Sequence, residues 1–280
     1  MTQKKEIEIT GFGRLLKFWR AKRKLSQLDL AAMAETTPRH LSFIEIGRSR
    51  PGRKLILRLV RALDLPVKEV NNIMVAAGFP PEYAAHDFSD DQIKPFRMAM
   101  EAILDEHNPY PACAMDSVGN ILMVNDGMRA FVPNIEHSTP EQSVEAMFVP
   151  DGAMRDLFEN WAEMAWNWLD RQRAELAITD NPRLAELLAK AESYMVGEER
   201  PEPNTKSNIG VLSPRMKVGD QVISTFTTMT RIENVVDVAL SEVRVELVFP
   251  LDEASRIFFE TNFKKFKLPP LQGVDQPLND

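Results

Sequence analysis

The sequence predicts an α+β protein, with an all-helical N-terminal domain followed by a domain in which helices pack on an antiparallel sheet. Two patterns predict it. Residues 11–78 carry apolar side chains at helical spacing, punctuated by capping residues. Residues 209–250 are instead rich in Val, Ile, Thr and Phe, with turn signals between the runs. Charge divides the chain in the same sense. Residues 1–54 hold 13 Lys and Arg against 5 Asp and Glu, a net of +8, while the remainder holds 21 against 36, a net of −15. A basic head on an acidic body suits a polyanionic partner, although a solvated basic helix would give the same count.

The helical part divides into five. Leu15, Leu16 and Trp19 share one face of a first helix. Ser26 is placed to cap a second, Gln27 to Ala34, and Thr37 a third that starts at Pro38, where a missing N–H costs nothing. Leu55, Leu59 and Leu63 mark a fourth, and Val70, Ile73 and Met74 a fifth that Gly78 ends. Residues 81–92, beginning at the second proline of Pro80-Pro81, read as a linker. Lys94 to His107 is helical in pattern, and Pro111 to Val124 forms two strands about Val118-Gly119-Asn120. Asp151 to Met195 is a long helical stretch interrupted at Asn181-Pro182. Ile209 to Pro250 reads as three strands, with turns at Gly219-Asp220 and around Asn234. A last helix, Asp252 to Phe266, precedes a tail, 269–280, expected to be disordered.

Composition excludes several classes. No apolar run reaches the length of a membrane span, and the charged stretch Met1 to Thr10 does not read as a signal peptide. The single cysteine, Cys113, rules out an intrachain disulfide and fits a reducing, cytoplasmic setting. It lies in an apolar strand without a basic neighbour in sequence, so an inert thiol is expected. His40, His86, His107 and His137 are scattered, with no metal-ligand spacing, and no phosphate-cradling or nucleophile-elbow motif occurs. No cofactor and no enzymatic activity are expected.

The positive signal lies in Ser26 to Glu45. In a helix-turn-helix, one helix braces on the phosphate backbone while the next presents its N-terminal side chains to base edges. Here Leu30, Ala31, Leu41 and Ile44 can form the interior of such a pair, leaving Arg39, His40, Ser42 and Phe43 outward. An outward Arg can fork onto guanine, and an outward Phe can pack on a thymine methyl. Arg20, Ser26-Gln27, Leu30-Ala31, Ile44-Glu45, Gly47 and Pro51 together resemble the lambda-repressor/Cro (XRE) helix-turn-helix. The resemblance implies that Gln27, Thr37, Pro38, Arg39 and Phe43 meet bases or adjacent phosphates. It implies that Arg48, Arg50 and Arg53 touch phosphate, and that Arg20 and Glu45 form a partly buried ion pair. One departure stands out: the turn between the helices usually carries Gly, and this chain has Glu35-Thr36.

Arg39 to Glu45 with Gly47-Arg48-Ser49-Arg50-Pro51 is closer still to the branch whose second domain is an MmyB-like ligand-binding domain of PAS-like shape. Pro109-Tyr110-Pro111-Ala112 with Asn120 and Asn125 resemble its opening hairpin, Pro150-Asp151-Gly152 with Asn160-Trp161 its central helix, and Thr225 to Thr230, the segment 237–242 and Phe249-Pro250 its closing strands. The resemblance implies a small lipophilic or acyl ligand. Trp161, Met164 and Trp168 recur at helical spacing, with Met147, Phe148 and Phe158 nearby. With Asn125 they are the candidate ligand residues, although a plain core stripe would show the same spacing. A carboxylate head could pair with Arg155 or Arg171.

The expectation is therefore a cytoplasmic one-component transcription regulator. A helix-turn-helix domain (1–80) and a linker (81–92) precede a PAS-like MmyB-type domain (93–268). Its expected partners are an operator duplex, the ligand and a second copy, without membrane insertion. The competing expectation is an antitoxin-type module whose second domain clamps a protein.

Overall fold

The computed structural model describes residues 11–202, 212–232 and 237–262. These form two compact units. The first takes the chain through His86 and, later, residues 237–241; the second takes 87–232 and 242–262. The first unit thus includes the start of the segment expected as a linker, together with the short later segment.

The first unit contains α1 (Gly11–Lys22), α2 (Gln27–Met33), α3 (Pro38–Glu45), α4 (Arg53–Ala62) and α5 (Val67–Ala76). Local chemistry sets their ends. The Ser26 hydroxyl accepts from Asp29 N–H at 3.1 Å, while the Asp29 carboxylate accepts from Ser26 N–H at 3.0 Å. That reciprocal pair satisfies two orphan donors of α2. The Thr37 hydroxyl accepts from His40 N–H at 3.1 Å, with Pro38 at the first helical position of α3. Between them the chain turns at Glu35, φ 50°, where the family resemblance leads one to expect Gly. Left-handed backbone costs a non-Gly residue about 1–2 kcal/mol, and the Glu35 carboxylate accepts from Arg58 Nη1 at 2.9 Å.

Leu16, Trp19, Leu30, Leu41, Ile44 and Leu59 are completely or almost completely sealed in the core of this unit. Each such burial contributes about 1.5–3 kcal/mol over exposure. α1 crosses the end of α3 so closely that a Cβ on Gly13 would lie 2.6 Å from the Glu45 carbonyl oxygen.

The second unit is built on one antiparallel sheet of order β2-β1-β5-β4-β3. Its strands are β1 (Ala112–Met115), β2 (Ile121–Val124), β3 (Arg215–Val218), β4 (Gln221–Arg231) and β5 (Arg244–Pro250). Around it lie α6 (Lys94–Glu106), α7 (Asp126–Phe131), α8 (Pro140–Phe148), α9 (Ala153–Leu157), α10 (Trp161–Thr179), α11 (Pro182–Tyr194) and α13 (Glu253–Asn262). A short helix, α12 (Val238–Glu242), interrupts the chain between β4 and β5. α7 and α8 carry no expectation from sequence, whereas α12 falls where a closing strand was expected: the Asp237 carboxylate accepts from Leu240 N–H at 3.2 Å and caps a helical turn there. The mixed α+β class is as predicted. Residues 263–266 of the expected last helix, the tail 269–280 and the turn at Asn234 lie outside the described residues.

Register gives the sheet two distinct faces, because side chains alternate along a strand. Ala112, Ala114, Val243 and Val245 pack with Met100 and Leu104 of α6. The alternate residues point the other way. Cys113 pairs with Glu246 and Glu246 with Met229; Met115 pairs with Arg244 and Arg244 with Arg231. These two cross-strand rows meet empty space.

Candidate functional site

The helix pair α2–α3 presents one candidate surface. Leu30, Ala31, Leu41 and Ile44 are fully buried between the helices, which leaves Thr37, Pro38 and Arg39 exposed and His40, Ser42 and Phe43 half-buried. The Arg39 guanidinium lies 5.4 Å from the Phe43 ring centroid, one helical turn along. Such a contact holds the cation in place with about 0.5–1 kcal/mol at an exposed site.

His40 is differently placed. Its Nδ1 lies 3.2 Å from Thr36 Oγ1 and its Nε2 3.3 Å from Ser49 Oγ, so both ring nitrogens face hydroxyls of the flanking loops. Gln27 Nε2 donates to Glu45 at 2.7 Å. Arg48 and Arg50 are exposed and form no ion pair among the described residues. Arg53, at the start of α4, is paired with Glu82.

Beneath this surface, Arg20 and Glu45 join α1 to α3. Nε donates to Oε1 at 2.6 Å and Nη2 to Oε2 at 3.0 Å, with Glu45 only 3% exposed. The hydrogen bond donated to the Glu45 carboxylate raises the guanidinium above its ordinary value, against a smaller lowering by burial. Arg20 Nη1 also donates to Leu25 carbonyl at 2.9 Å, so the pair fixes the α1–α2 loop as well.

The second candidate is a cavity of about 700 Å³ inside the second unit. Its floor is the two cross-strand rows, and its walls come from α8, α10 and α11. Trp168, Arg171, Glu175 and Ile178 line it from one stripe of α10 at spacings of three and four residues. Of the seven ligand residues expected from sequence, Met147, Phe148 and Trp168 line the cavity and the other four do not.

The four have identifiable work elsewhere. The Asn125 amide is buried. Its oxygen accepts from Ala112 N–H at 3.0 Å and from Met128 N–H at 2.8 Å, capping α7, while its nitrogen donates to Leu104 and Tyr110 carbonyls. Trp161 Nε1 donates to the Met147 carbonyl at 2.7 Å, and Arg155 lies 3.8 Å from its ring centroid. Phe158 makes an isolated bridge with Met216 and packs in the surrounding core, and Met164 is half-buried on α10.

Of the charged end of the cavity, where Arg171, Glu175, Arg231, Arg244 and Glu246 gather, sequence reading named Arg171 and missed the other four. Glu175 accepts from both Arg231 and Arg244, the latter at 3.0 Å. Burial lowers the Arg244 guanidinium, as does neighbouring Arg231. Arg171 makes no ion pair within 4 Å among the described residues. Burial pushes the Glu246 carboxyl above its ordinary range, with Arg171 pulling in the opposite direction. Burial, with Glu246 beside it, also pushes the Cys113 thiol up, so little thiolate exists at neutral pH. A signal was present: Arg244-Val245-Glu246 alternates charge with an apolar residue in a strand, which puts both charges on one face.

A raised carboxyl makes a testable statement about stability. Between the ordinary value and the raised one, the folded state holds a proton that the unfolded chain has lost, so stability falls as pH rises. Glu246→Gln should therefore raise the melting temperature at pH 8. The gain should vanish towards pH 4, where the native carboxyl is protonated in both states. Thermal melts at the two pH values check this, and an equal or lower melting temperature at pH 8 would contradict it.

Residues 96–260, more than half of the chain, match the family described as MmyB-like transcription regulator ligand binding domain. Residues 16–70 match the helix-turn-helix family. Among solved structures, the restriction-modification controller protein C.AhdI from Aeromonas hydrophila is similar. It is 29% identical over 22% of this chain and 94% of that chain, with a TM-score of 0.21. No curated protein matches. Among the described residues, no helix is long and apolar enough to cross a membrane.

Proposed function

The chain belongs to the MmyB-like transcription regulator family, and from that premise we propose that it is a one-component regulator whose operator affinity is set by a small lipophilic ligand. Its DNA-binding part is the helix-turn-helix domain, residues 1–80, acting as a homodimer on two half-sites about 34 Å apart. Arg39 and Phe43 read bases from the N-terminal part of α3; Thr37 and Pro38 lie against the adjacent backbone, and Arg48 and Arg50 neutralise phosphate. The regulator works in the cytoplasm, and its second domain binds rather than transforms its ligand.

One observation carries the ligand reading: a cavity of about 700 Å³ with a wall of Met, Phe, Trp and Leu side chains and charge gathered at one end. That volume lies within the range of small-molecule sites, roughly 300–1,000 Å³. The lipophilic part of the ligand lies against Met147, Phe148 and Trp168. A carboxylate head would meet Arg171, whereas Arg155 is engaged with Glu198 and Trp161.

The test is extraction of purified protein with organic solvent, identification of the released molecule, and operator titration of the stripped protein with and without it. Linkage limits the effect on operator affinity to the ligand's differential affinity for the two dimer geometries, typically about 1–3 kcal/mol. Trp168→Ala should weaken ligand binding and leave ligand-free operator binding intact. Stripped protein that neither rebinds apolar molecules nor changes operator affinity would end the sensor reading, and a copurifying protein in place of a small molecule would favour an antitoxin-type module.

A further inference from the structure

Among Arg48, Arg50 and Arg53, only Arg53, at the start of α4, has its guanidinium held by a carboxylate of the described residues, that of Glu82. The holding is built. Asn71 on α5 accepts from both Glu82 N–H and Tyr83 N–H at 2.9 Å through its side-chain oxygen, and donates to the Tyr83 carbonyl at 2.9 Å. One amide thus clamps two residues against the helix that precedes them, and Tyr83 adds its ring to the helical core.

The strap continues. The Ala84 carbonyl accepts from Val238 N–H at 2.9 Å, and the His86 ring nitrogen Nδ1 lies 2.7 Å from Asp237 Oδ2. Asp237 and Leu240 are buried at 7% and 3% exposure, although they belong to the short segment by which the chain passes from β4 to β5. The residues flanking that segment, Arg231 ending β4 and Arg244 starting β5, both bind Glu175 at the charged end of the cavity.

We propose that Glu82 is an autoinhibitory carboxylate, occupying Arg53 in place of a DNA phosphate, and that the 82–86 strap anchored on Asp237 holds it there. This rests on the reading of Arg53 as a phosphate contact. Arg53 is half-exposed, so the pair is worth little in water and tunes affinity rather than abolishing it.

The experiment uses the full-length chain and a random-sequence 30-base-pair duplex, titrated over a range of KCl concentrations. Glu82→Gln should tighten binding about two- to fivefold at physiological salt. It should also steepen the fall of log K with log[salt] by about 0.9, one extra phosphate. Asp237→Asn should move both quantities in the same direction, and should add nothing in a Glu82→Gln background. An unchanged slope and affinity for Glu82→Gln would overturn the proposal. Arg53→Ala in the Glu82→Gln background separates the two ideas. If it removes the extra slope, Arg53 meets phosphate. If it changes nothing, the phosphate reading of Arg53 fails and the autoinhibition fails with it. Because Arg53 and Glu82 lie at the surface, circular dichroism should show the variants folded.

Discussion

Glu45→Ala should cost the helical unit about 3–5 kcal/mol, the typical penalty when one partner of a buried ion pair is removed. Three groups lose their acceptor at once: Arg20 Nε, Arg20 Nη2 and Gln27 Nε2. The stranded guanidinium has only 14% side-chain exposure through which to regain water. A loss of that size is a large share of the stability of a small domain, so DNA binding should fail through unfolding and not through a lost contact. Glu45→Gln, which keeps an acceptor oxygen, should fall between the two. Chemical denaturation of each variant measures the effect directly. A midpoint equal to that of the native chain would remove the structural role assigned to the pair.

The second large effect is expected at Arg39. Arg39→Ala should weaken operator binding by about 1–3 kcal/mol and relax preference at a single base pair. The ring of Phe43 lies beneath the guanidinium, so Phe43→Ala should relax the same position through lost positioning as well as lost contact. Arg48→Ala offers the contrast. It should weaken all sequences alike and reduce the salt slope by about 0.9. Operator selection from random duplexes with each variant separates these outcomes, and unchanged discrimination by Arg39→Ala would mean that another element reads the bases.

How much of this could be read in advance follows from how local the governing interactions are. Ser26 with Asp29, and Thr37 with Pro38, act within one turn, so the α2–α3 pair was legible residue by residue. The hairpin of β1 and β2 was legible for the same reason. α7 and α8 were missed although their caps are equally local. Asn125 caps the first, and Thr139 with Gln142 forms a capping box on the second. Their short apolar patterns simply did not announce a period. The cavity was harder. Trp161, Met164 and Trp168 share a helical spacing, yet the wall runs from Trp168 towards Ile178, because the start of α10 is enclosed by core contacts around Ala165 and Phe148. Which turn of a helix meets empty space depends on elements far away in sequence. The placement of β5 between β1 and β4 is of that kind, and with it the gathering of Arg231, Arg244 and Glu246.

The two-faced register of the sheet has a consequence for redesign. Cys113 and Met115 of β1 and Arg244 and Glu246 of β5 face the cavity, while the residues between them, Ala112, Ala114 and Val245, pack with α6. The side chains that shape the cavity floor and those that pack on α6 are therefore separate sets woven into the same strands. Met115 and Met229 can be exchanged for larger or smaller residues to reshape the floor without creating a void against α6. Recognition in this domain can drift, or be engineered, along one parity of the strands while the other parity keeps the fold.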